Sequence, residues 1–177
     1  MKKVYLALGT NLGEKAFNLL QAVIYITEEI GKLTASSSVY KSEPWGFESI
    51  NEFLNMVVCV ETNLSTEEIL SITQSIEKKI GRKEKTNRTY QDRIIDIDII
   101  VYDDLILNSD KLTIPHPLFH ERQFVLKPMS EIAPEFVHPV LHKKVSELIS
   151  FTSNEQTFVH KQPKHTSLRG AKRRSNP

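Results

Sequence analysis

The sequence predicts an α+β domain built on a ferredoxin-like antiparallel or mixed sheet. Strand-like and helix-like segments follow one another in the order β-α-β-β-α-β. The two long helical segments each end at a glycine, Gly31 and Gly81, which is typical of a helix C-terminus. Between them the apolar spacing changes from helical to alternating, which favours a strand. We expect helices on the faces of the sheet, followed by a C-terminal hairpin and short helices.

The chain begins with a strand and a helix. Residues 4–8 are Val-Tyr-Leu-Ala-Leu, which predicts a short buried strand ended by the turn sequence at 9–13. A helix is expected over 14–30, with Gly31 as its stop. The apolar residues near helical spacing in this segment are Phe17, Leu20, Val23, Ile24 and Ile30.

Two further strands are expected before the second helix. Residues 33–40 are rich in Ser, Thr and Val, and 42–47 form a loop marked by proline and glycine. Residues 53–61 alternate in polarity, which predicts a strand buried on one face only. The apolar face of this strand is expected to carry Leu54, Met56, Val58 and Val60.

The second helix has the clearest signals in the chain. Ser65 and Glu68 form a capping-box pattern, in which each side chain accepts a hydrogen bond from an unpaired backbone N–H. Gly81 closes the helix. Its inner stripe is expected to consist of Ile69, Ile72, Thr73, Ile76 and Ile80.

The C-terminal half returns to extended structure. A strand is expected over 94–101, followed by a short extended pair at 105–107 and 111–114. Short helices are expected near 121–129 and 145–151. Together these segments complete a folded domain over residues 1–158.

Charge separates this domain from the C-terminal tail. Residues 161–177 contain six Lys or Arg and no acid, whereas residues 1–160 contain 17 basic and 22 acidic residues, a net charge of −5. A nucleic-acid-binding domain that is basic overall is therefore not expected, and neither is a nucleic-acid partner. We expect 159–177 to be a disordered basic tail.

Composition bounds the remaining possibilities. No run approaches the roughly 18 apolar residues of a membrane span, and the N-terminus does not resemble a signal peptide. Cys59 is the single cysteine of the sequence, which excludes an internal disulfide. We therefore expect a cytoplasmic, monomeric protein that has no membrane partner.

The sharpest chemical signal is the pair Asp96 and Asp98 within an apolar strand. Side chains two residues apart on a strand share a face, with Cα atoms about 6.6 Å apart. Two carboxylates at this separation repel each other and are costly to desolvate without a cation. Mg²⁺ suits such a pair, with phosphates and water as further ligands. The alternative is a solvent-facing edge with ordinary surface aspartates.

Positive charge is concentrated just upstream of this pair. Seven Lys or Arg lie within 78–93. A basic loop beside two carboxylates is the arrangement that phosphoryl transfer requires, although a solvated charged loop is the alternative. The sequence 9–13 lacks the Gly-Lys-Ser/Thr ending of a P-loop, so a Walker-type nucleotide site is excluded.

Other residues could contact a phosphate or a planar heterocycle. His116 lies between two prolines and could donate to a phosphate, or could simply occupy a turn. Trp45, Phe53 and Phe124 lie near loops, as stacking on a ring would require, although core packing would explain each one. Asn55 is on the strand face opposite Leu54 and could offer its amide to a ring edge.

These pieces together resemble the family of 6-hydroxymethyl-7,8-dihydropterin pyrophosphokinase, an enzyme of folate biosynthesis. The resemblance covers residues 1 to about 150 and rests on motifs in the expected order. They are Gly9-Thr10-Asn11-Leu12-Gly13, the 42–46 loop, Phe53-Leu54-Asn55, Gln74-Ser75-Ile76-Glu77, Gly81-Arg82, Arg93-Ile94-Ile95-Asp96-Ile97-Asp98, Ile114-Pro115-His116-Pro117 and Arg122-Gln123-Phe124-Val125-Leu126.

The resemblance implies transfer of an intact pyrophosphate from ATP to the pterin hydroxymethyl group, with release of AMP. Asp96 and Asp98 would hold two Mg²⁺ ions, with Asp96 near the attacking oxygen, and Arg82 and Arg93 would be catalytic. The residues implied to bind ATP are Gln74, Glu77, Arg82, Arg88, Arg93, Ile99, Lys111, Thr113, His116 and Arg122. Those implied to bind the pterin are Ser42, Pro44, Trp45, Phe53, Asn55, Tyr90 and Phe124.

The chain departs from the commonest family pattern just before Arg93. Many members have an aromatic residue and then Gly-Pro at this point, whereas this chain has Tyr90-Gln91-Asp92. The alternative function is an RNA-binding module on the same fold, suggested by the element order and the basic tail. Such modules carry paired aromatics on central strands, where this chain has two carboxylates.

Overall fold

A computed structural model describes residues 1–82, 91–152 and 160–161 of the 177-residue chain. Within them a six-stranded antiparallel sheet has the order β5-β1-β4-β3-β8, with β2 also paired to β4. The strands are β1 (Lys2–Thr10), β2 (Lys32–Ser36), β3 (Tyr40–Ser42), β4 (Phe53–Thr62), β5 (Asp96–Tyr102) and β8 (His160–Lys161). The ferredoxin-like prediction is confirmed, and so is the C-terminal hairpin of β6 (Leu107–Asn108) and β7 (Thr113–Ile114).

Helices α1 (Lys15–Glu29) and α2 (Thr66–Ile80) cover one face of the sheet. The predicted capping box at Ser65 and Glu68 is present, with the Glu68 N–H donating to the Ser65 hydroxyl and the Ser65 N–H donating to the Glu68 carboxylate. Gly81 ends α2 in the left-handed conformation, with φ 111°, which favours glycine. The helix therefore stops where the sequence predicts, and Arg82 leaves it next to the sheet.

The apolar residues predicted for α1 form its buried face only in part: Ile30 is buried and Val23 packs against the core, but the other three do not. Phe17, Leu20 and Ile24 are exposed, and the buried residues are Asn18, Leu19, Ala22 and Ile26. The cause is Asn18, whose side-chain amide donates to the carbonyl oxygens of Leu12 and Ile94 at 3.0 and 3.1 Å. Because these bonds hold two loops against the helix, the helix rotates a polar residue into the core, which a search for apolar spacing cannot detect.

The prediction that β4 is buried on one face only is also wrong. Val57 is as fully buried as Val58, since a second layer covers the opposite face of the sheet. This layer contains α3 (Gln123–Ile132), α4 (Val145–Thr152) and a short 3₁₀ helix (Phe119–Glu121). A central strand covered on both faces has no need of alternating polarity.

The segment predicted as one strand over 33–40 forms two strands. β2 and β3 both pair with β4, and residues 37–39 connect them. Here the side chain of Ser37 accepts the backbone N–H of Val57 at 3.0 Å, which takes the place of a ladder hydrogen bond. Ser42, predicted within a loop, is the last residue of β3.

Two residues of the predicted C-terminal tail lie within the described part of the chain, where they form β8. β8 pairs with Tyr40–Lys41 of β3, where the sequence predicts disorder. An edge strand such as β3 offers unpaired backbone groups, so it can bind a further segment without help from apolar side chains. Residues 153–159 and 162–177, which hold the rest of the predicted tail, lie outside the described residues. None of the described helices is long and apolar enough to cross a membrane.

His138 provides a test of the second layer. Its ring is 4 % exposed and stacks on Phe119 with centroids 4.9 Å apart, and its Nδ1 accepts the backbone N–H groups of Val140 and Leu141. Burial lowers the pKa of His138 from 6.5 to about 4. Between these values the unfolded chain takes up the proton that the folded chain excludes, so stability is lost as the pH falls.

We expect the free energy of unfolding to decrease from pH 6.5 to pH 4.5, with His138 contributing up to about 1.4 kcal/mol per pH unit. Denaturant unfolding of the wild type and of His138→Asn at several pH values would measure this. The asparagine oxygen can replace Nδ1 as acceptor but does not titrate. The decrease should be shallower in the variant, and equal slopes in the two proteins would contradict the assignment.

Candidate active site

The antiparallel register places three predicted site residues in one row across the sheet. Asp96 of β5 is opposite Gly9 of β1, and Gly9 is opposite Asn55 of β4. In the next row Asp98 is opposite Ala7. Opposite residues of antiparallel strands point to the same face, so both carboxylates and the Asn55 amide share the face covered by α3.

Gly9 keeps the middle of this row open. A β-carbon at this position would lie 3.2 Å from Asn55 Oδ1 and 3.9 Å from Phe53 Cδ1. The side chains of Asp96 and Asn55 therefore border a pocket whose floor between them is the backbone of Gly9. The lining residues are Ala7, Leu8, Gly9, Ser42, Glu43, Trp45, Phe47, Phe53, Asn55, Arg93, Asp96, Asp98, Arg122, Phe124 and Val125.

Two arginines hold the carboxylate of Asp96. Arg82 Nη1 donates to Asp96 Oδ1 at 2.5 Å, and Arg93 Nη1 donates to Oδ2. Both guanidinium groups are 12 % exposed, so solvent screens these ion pairs only weakly. The backbone oxygen of Gln91 accepts from Arg93 Nε at 3.0 Å, which orients that side chain further.

Glu77 connects α2 to the carboxylate strand. It is buried, accepts from Arg82 Nη1, and accepts the backbone N–H of Ile97 at 2.8 Å. Burial and the charge of Asp96 raise its pKa to about 7, against the opposing effect of Arg82. Glu77 thus fixes Arg82 beside Asp96, while its own charge adds to the negative potential there.

Asp98 is the least neutralised acid of the site. Burial and then the charge of Asp96 raise its pKa to about 7, and Arg122 Nη1 lies 3.6 Å from its Oδ2. Two adjacent carboxylates facing a pocket are the hard oxygen donors that Mg²⁺ binds, together with substrate phosphates and water. The donor set therefore fits the predicted metal. Among the described residues no group of three or more His, Cys, Asp or Glu side chains forms a metal site.

His116 is held as a neutral imidazole. Its backbone N–H donates to Ile100 O at 2.9 Å, and its Nδ1 accepts the N–H of Leu118 at 3.2 Å. Burial and the nearby charge of Arg122 lower its pKa to about 4. Because Nδ1 is the acceptor, Nε2 carries the proton and is the donor, as the interpretation of His116 as a phosphate ligand requires.

Aromatic side chains form the walls of the pocket. The Arg122 guanidinium lies over Trp45, 5.0 Å from the ring centroid, and Trp45 meets Phe124 edge-on at 6.3 Å. On the other side Phe47 meets Phe53 edge-on at 6.1 Å. The result is a slot that Phe53 and Phe124 line together with the charged side chains of Glu43, Arg93, Asp96, Asp98 and Arg122.

Asn55 contributes an uncharged polar group to the lining of this slot. Its Nδ2 donates to Ser42 Oγ at 2.9 Å, and both side chains are buried. In this orientation of the amide, Ser42 Oγ accepts from the nitrogen. Oδ1 of Asn55 is then directed to the side of Gly9, where it can accept a hydrogen bond from a ligand.

The structure brings together some of the predicted residues but not all of them. Nine line the pocket: Ser42, Trp45, Phe53, Asn55, Arg93, Asp96, Asp98, Arg122 and Phe124. Arg82 and Glu77 lie behind Asp96. Those outside the pocket lining are Pro44, exposed Gln74 on α2, Ile99 with its side chain in the opposite core, exposed Lys111, Thr113 on β7 and His116. Arg88 and Tyr90 lie outside the described residues.

Six pocket residues were not predicted as site residues: Ala7, Leu8, Gly9, Glu43, Phe47 and Val125. Gly9 belongs to the turn motif at the end of β1, and its strand register supplies the signal that the sequence lacks. Glu43 and Phe47 flank the predicted Trp45 in the same loop. Loop residues at single positions carry no periodicity, so their direction follows only from the fold.

Comparison with known proteins identifies the family of this chain. A sequence profile of the 7,8-dihydro-6-hydroxymethylpterin-pyrophosphokinase (HPPK) family matches residues 5–134. The chain is 43 % identical over 141 residues to the 2-amino-4-hydroxy-6-hydroxymethyldihydropteridine pyrophosphokinase of Porphyromonas gingivalis, covering 78 % of this chain and 95 % of that one. It is 38 % identical over 147 residues to the enzyme of the same name from Aquifex aeolicus, covering 83 % and 90 %.

Solved structures show the same fold. Wild-type Plasmodium falciparum HPPK-DHPS, crystallised with pteroate, superposes with a TM-score of 0.67 at 16 % identity. The match covers 85 % of this chain but 44 % of that longer one. Taken with the profile match and the two bacterial relatives, the chain belongs to the 7,8-dihydro-6-hydroxymethylpterin-pyrophosphokinase family.

Proposed function

We propose that this pocket is where the chain transfers pyrophosphate from ATP to the hydroxymethyl group of 6-hydroxymethyl-7,8-dihydropterin, in folate biosynthesis. The observation that carries the proposal is the Asp96–Asp98 pair, which lies at the charged end of an aromatic slot and is surrounded by three arginines. The charged end suits the phosphates of ATP. The aromatic end suits a flat, uncharged pterin ring.

The products define which bonds change. The pterin hydroxyl oxygen bonds to the β-phosphorus of ATP, and the bond from that phosphorus to the bridging oxygen of the α-phosphate breaks. AMP leaves with that oxygen, the pterin diphosphate forms, and the hydroxyl loses its proton. Asp96, at the boundary between the two ends of the pocket, is the carboxylate next to the attacking oxygen in this arrangement.

Asp96 and Asp98 would hold two Mg²⁺ ions, which would neutralise charge on the phosphate oxygens of bound ATP. Arg82 and Arg93 supply positive charge on the other side of Asp96. A guanidinium presents its donors in a fixed plane, so it can bind two phosphate oxygens at once. Fixed charges of this kind stabilise the transferring group without reorganisation during the reaction.

Further residues orient the two substrates. His116, neutral and with Nε2–H as donor, is suited to one phosphate oxygen, and Arg122 reaches from the phosphate end to the aromatic wall. Phe53 and Phe124 border the slot that would take the ring. Asn55 Oδ1 can accept an N–H of the pterin, because its Nδ2 is already bonded to Ser42.

Mg²⁺ dependence is the first test of the proposed reaction. We expect AMP to be released from ATP only when both the reduced pterin and Mg²⁺ are present, and we expect EDTA to abolish release and excess Mg²⁺ to restore it. Nucleotide analysis by chromatography would measure this. The alternative RNA-binding function predicts tight, salt-sensitive RNA binding and no AMP, and that result would overturn the proposal.

Asp98→Asn tests the metal assignment. Turnover should fall by about 1,000-fold, the size of effect seen when a charge-stabilising group is removed from an active site. Because the pKa of Asp98 is raised to about 7, its charged form is unfavourable in the folded chain at pH 8, so thermal stability there should be equal or higher in the variant. Asp104→Asn, at an exposed acid, is the control. Near-normal turnover in Asp98→Asn would contradict the assignment.

Arg93→Ala tests the role of the arginines. We expect kcat to fall by about 100-fold or more while KM for ATP changes only a few-fold, because the guanidinium acts on charge that develops in the transition state. Steady-state kinetics would separate the two parameters. Lys79→Ala removes a positive charge from an exposed pair with Glu29 and should have little effect. A change confined to KM in Arg93→Ala would show that Arg93 only binds substrate.

A further inference from the structure

Three segments that border the pocket meet at one polar junction. They are the turn after β1, the end of the loop before β4, and residues 92–93, which lie shortly before the carboxylate strand β5. The junction consists of Asn11, Ser49, Asn51, Asp92 and the backbone of Arg93. Gly9 of the pocket floor and Phe53 of its wall lie two residues from Asn11 and Asn51, respectively, along the chain.

Asp92 is the acceptor at the centre of the junction. Its Oδ1 accepts from Asn11 Nδ2 and its Oδ2 from Asn51 Nδ2, both at 2.6 Å. Burial alone would raise the pKa of Asp92, but hydrogen bonds from Ser49, Asn51 and Asn11 lower it below its usual value. Each carboxylate oxygen therefore has its own amide donor, and short bonds of this type are strengthened by the charge.

Asn11 extends the junction to Arg93. Its side chain is 3 % exposed, and its Oδ1 accepts the Arg93 N–H at 2.7 Å, while its own backbone N–H donates to Arg93 O at 3.1 Å. Neither Gln91 nor Asp92 is a proline, so no pyrrolidine ring fixes the backbone angle φ at the two residues before Arg93. The direction of this backbone is set instead by hydrogen bonds to Asn11 and Asp92.

The same carboxylate reaches the aromatic wall through Asn51. Asn51 is two residues before Phe53, and its backbone N–H donates to Ser49 Oγ at 3.0 Å. Residues 43–52 form the loop that carries Trp45 and Phe47 between β3 and β4. One side chain thus bonds both to the segment of a catalytic arginine and to the loop of the pterin slot.

We propose that Asp92 is a positioning residue that couples the aromatic loop 43–52 to Arg93 through its paired bonds to Asn51 and Asn11. This rests on the proposed function for its kinetic consequence, but the coupling itself can be observed without turnover. The two-acceptor geometry is the specific requirement. An amide at position 92 is uncharged and has only one acceptor atom, so it cannot keep both charge-assisted bonds from Asn51 and Asn11 in their present orientations.

The experiment exchanges the two side chains. Asp92→Asn alone should raise KM for the pterin about tenfold and lower kcat, with KM for ATP changing less than threefold. The double variant Asp92→Asn/Asn51→Asp has the same net charge as the wild type. Its new amide can accept from Asn11 and donate to the new carboxylate, so KM for the pterin should return to within about threefold of the wild-type value.

Trp45 provides a readout that is independent of catalysis, since it is the single tryptophan of the chain. Acrylamide should quench its fluorescence more strongly in Asp92→Asn and in Asn51→Ala than in the wild type, and the double exchange should reverse the increase. Glu48→Gln, which removes an exposed charge from the same loop, should change neither quenching nor KM.

The outcomes separate the two proposals. If the wild type releases no AMP but quenching follows the pattern above, the proposed function is wrong and the coupling stands. If Asp92→Asn folds with unchanged quenching and unchanged KM for the pterin, or if the double exchange folds and restores neither quantity, the coupling is wrong. Asn51→Ala tests the same bond from its other end if Asp92→Asn does not fold.

Discussion

Two carboxylates on one face of a buried strand are the constraint around which this site is built. Asp96 and Asp98 both lie beside apolar neighbours, and burial, followed by the charge of Asp96, raises the pKa of Asp98 to about 7. A buried charge without a partner is costly, so cations have to be brought to it. Arg82 comes from the end of α2, Arg93 from the segment before β5, and Arg122 from the start of α3. Each of these three segments therefore brings one guanidinium group to the aspartate pair.

Sheet register then determines how far the proposed phosphate end of the pocket is from the proposed pterin end. Asp96, Gly9 and Asn55 are opposite one another on three neighbouring strands, and strands are spaced about 4.8 Å apart. The carboxylate and the amide are therefore roughly 10 Å apart across a floor without side chains. A residue larger than glycine at position 9 would approach Asn55 Oδ1, so the open floor and the orientation of that amide depend on each other.

Local signals in the sequence predict the order and ends of the helices and strands better than they predict which face of each element is buried. The capping box, the terminal glycines and the element order depend on neighbouring residues, and all of them agree with the structure. The face of α1 could not be predicted, because Asn18 is buried to bond loops that are distant in sequence. The double coverage of β4 depends on α3, which lies about 70 residues later.

In the site, too, features that depend on local spacing can be predicted, whereas features that depend on contacts distant in sequence cannot. The spacing of Asp96 and Asp98 is visible in the sequence because two residues on a strand always share a face. The side chain of Ile99, implied to line the nucleotide, faces the opposite core by the same rule. No sequence pattern indicates the role of Asp92, since its partners Asn11 and Asn51 are 81 and 41 residues away along the chain. A loop residue whose role depends on bonds to two other loops becomes visible only when all three are placed.

The balance of charge explains why an acidic body can bind ATP. Residues 1–160 carry a net charge of −5, but three guanidinium groups converge on the two aspartates of the pocket. The pocket is therefore close to neutral before substrates enter, and the phosphates would bring their own counter-ions as Mg²⁺. Binding then requires donors in a fixed geometry more than it requires net positive charge. Glu77 holds Arg82 in place by accepting from its guanidinium and from the backbone N–H of Ile97. Asn11 holds Arg93 in place by accepting its backbone N–H.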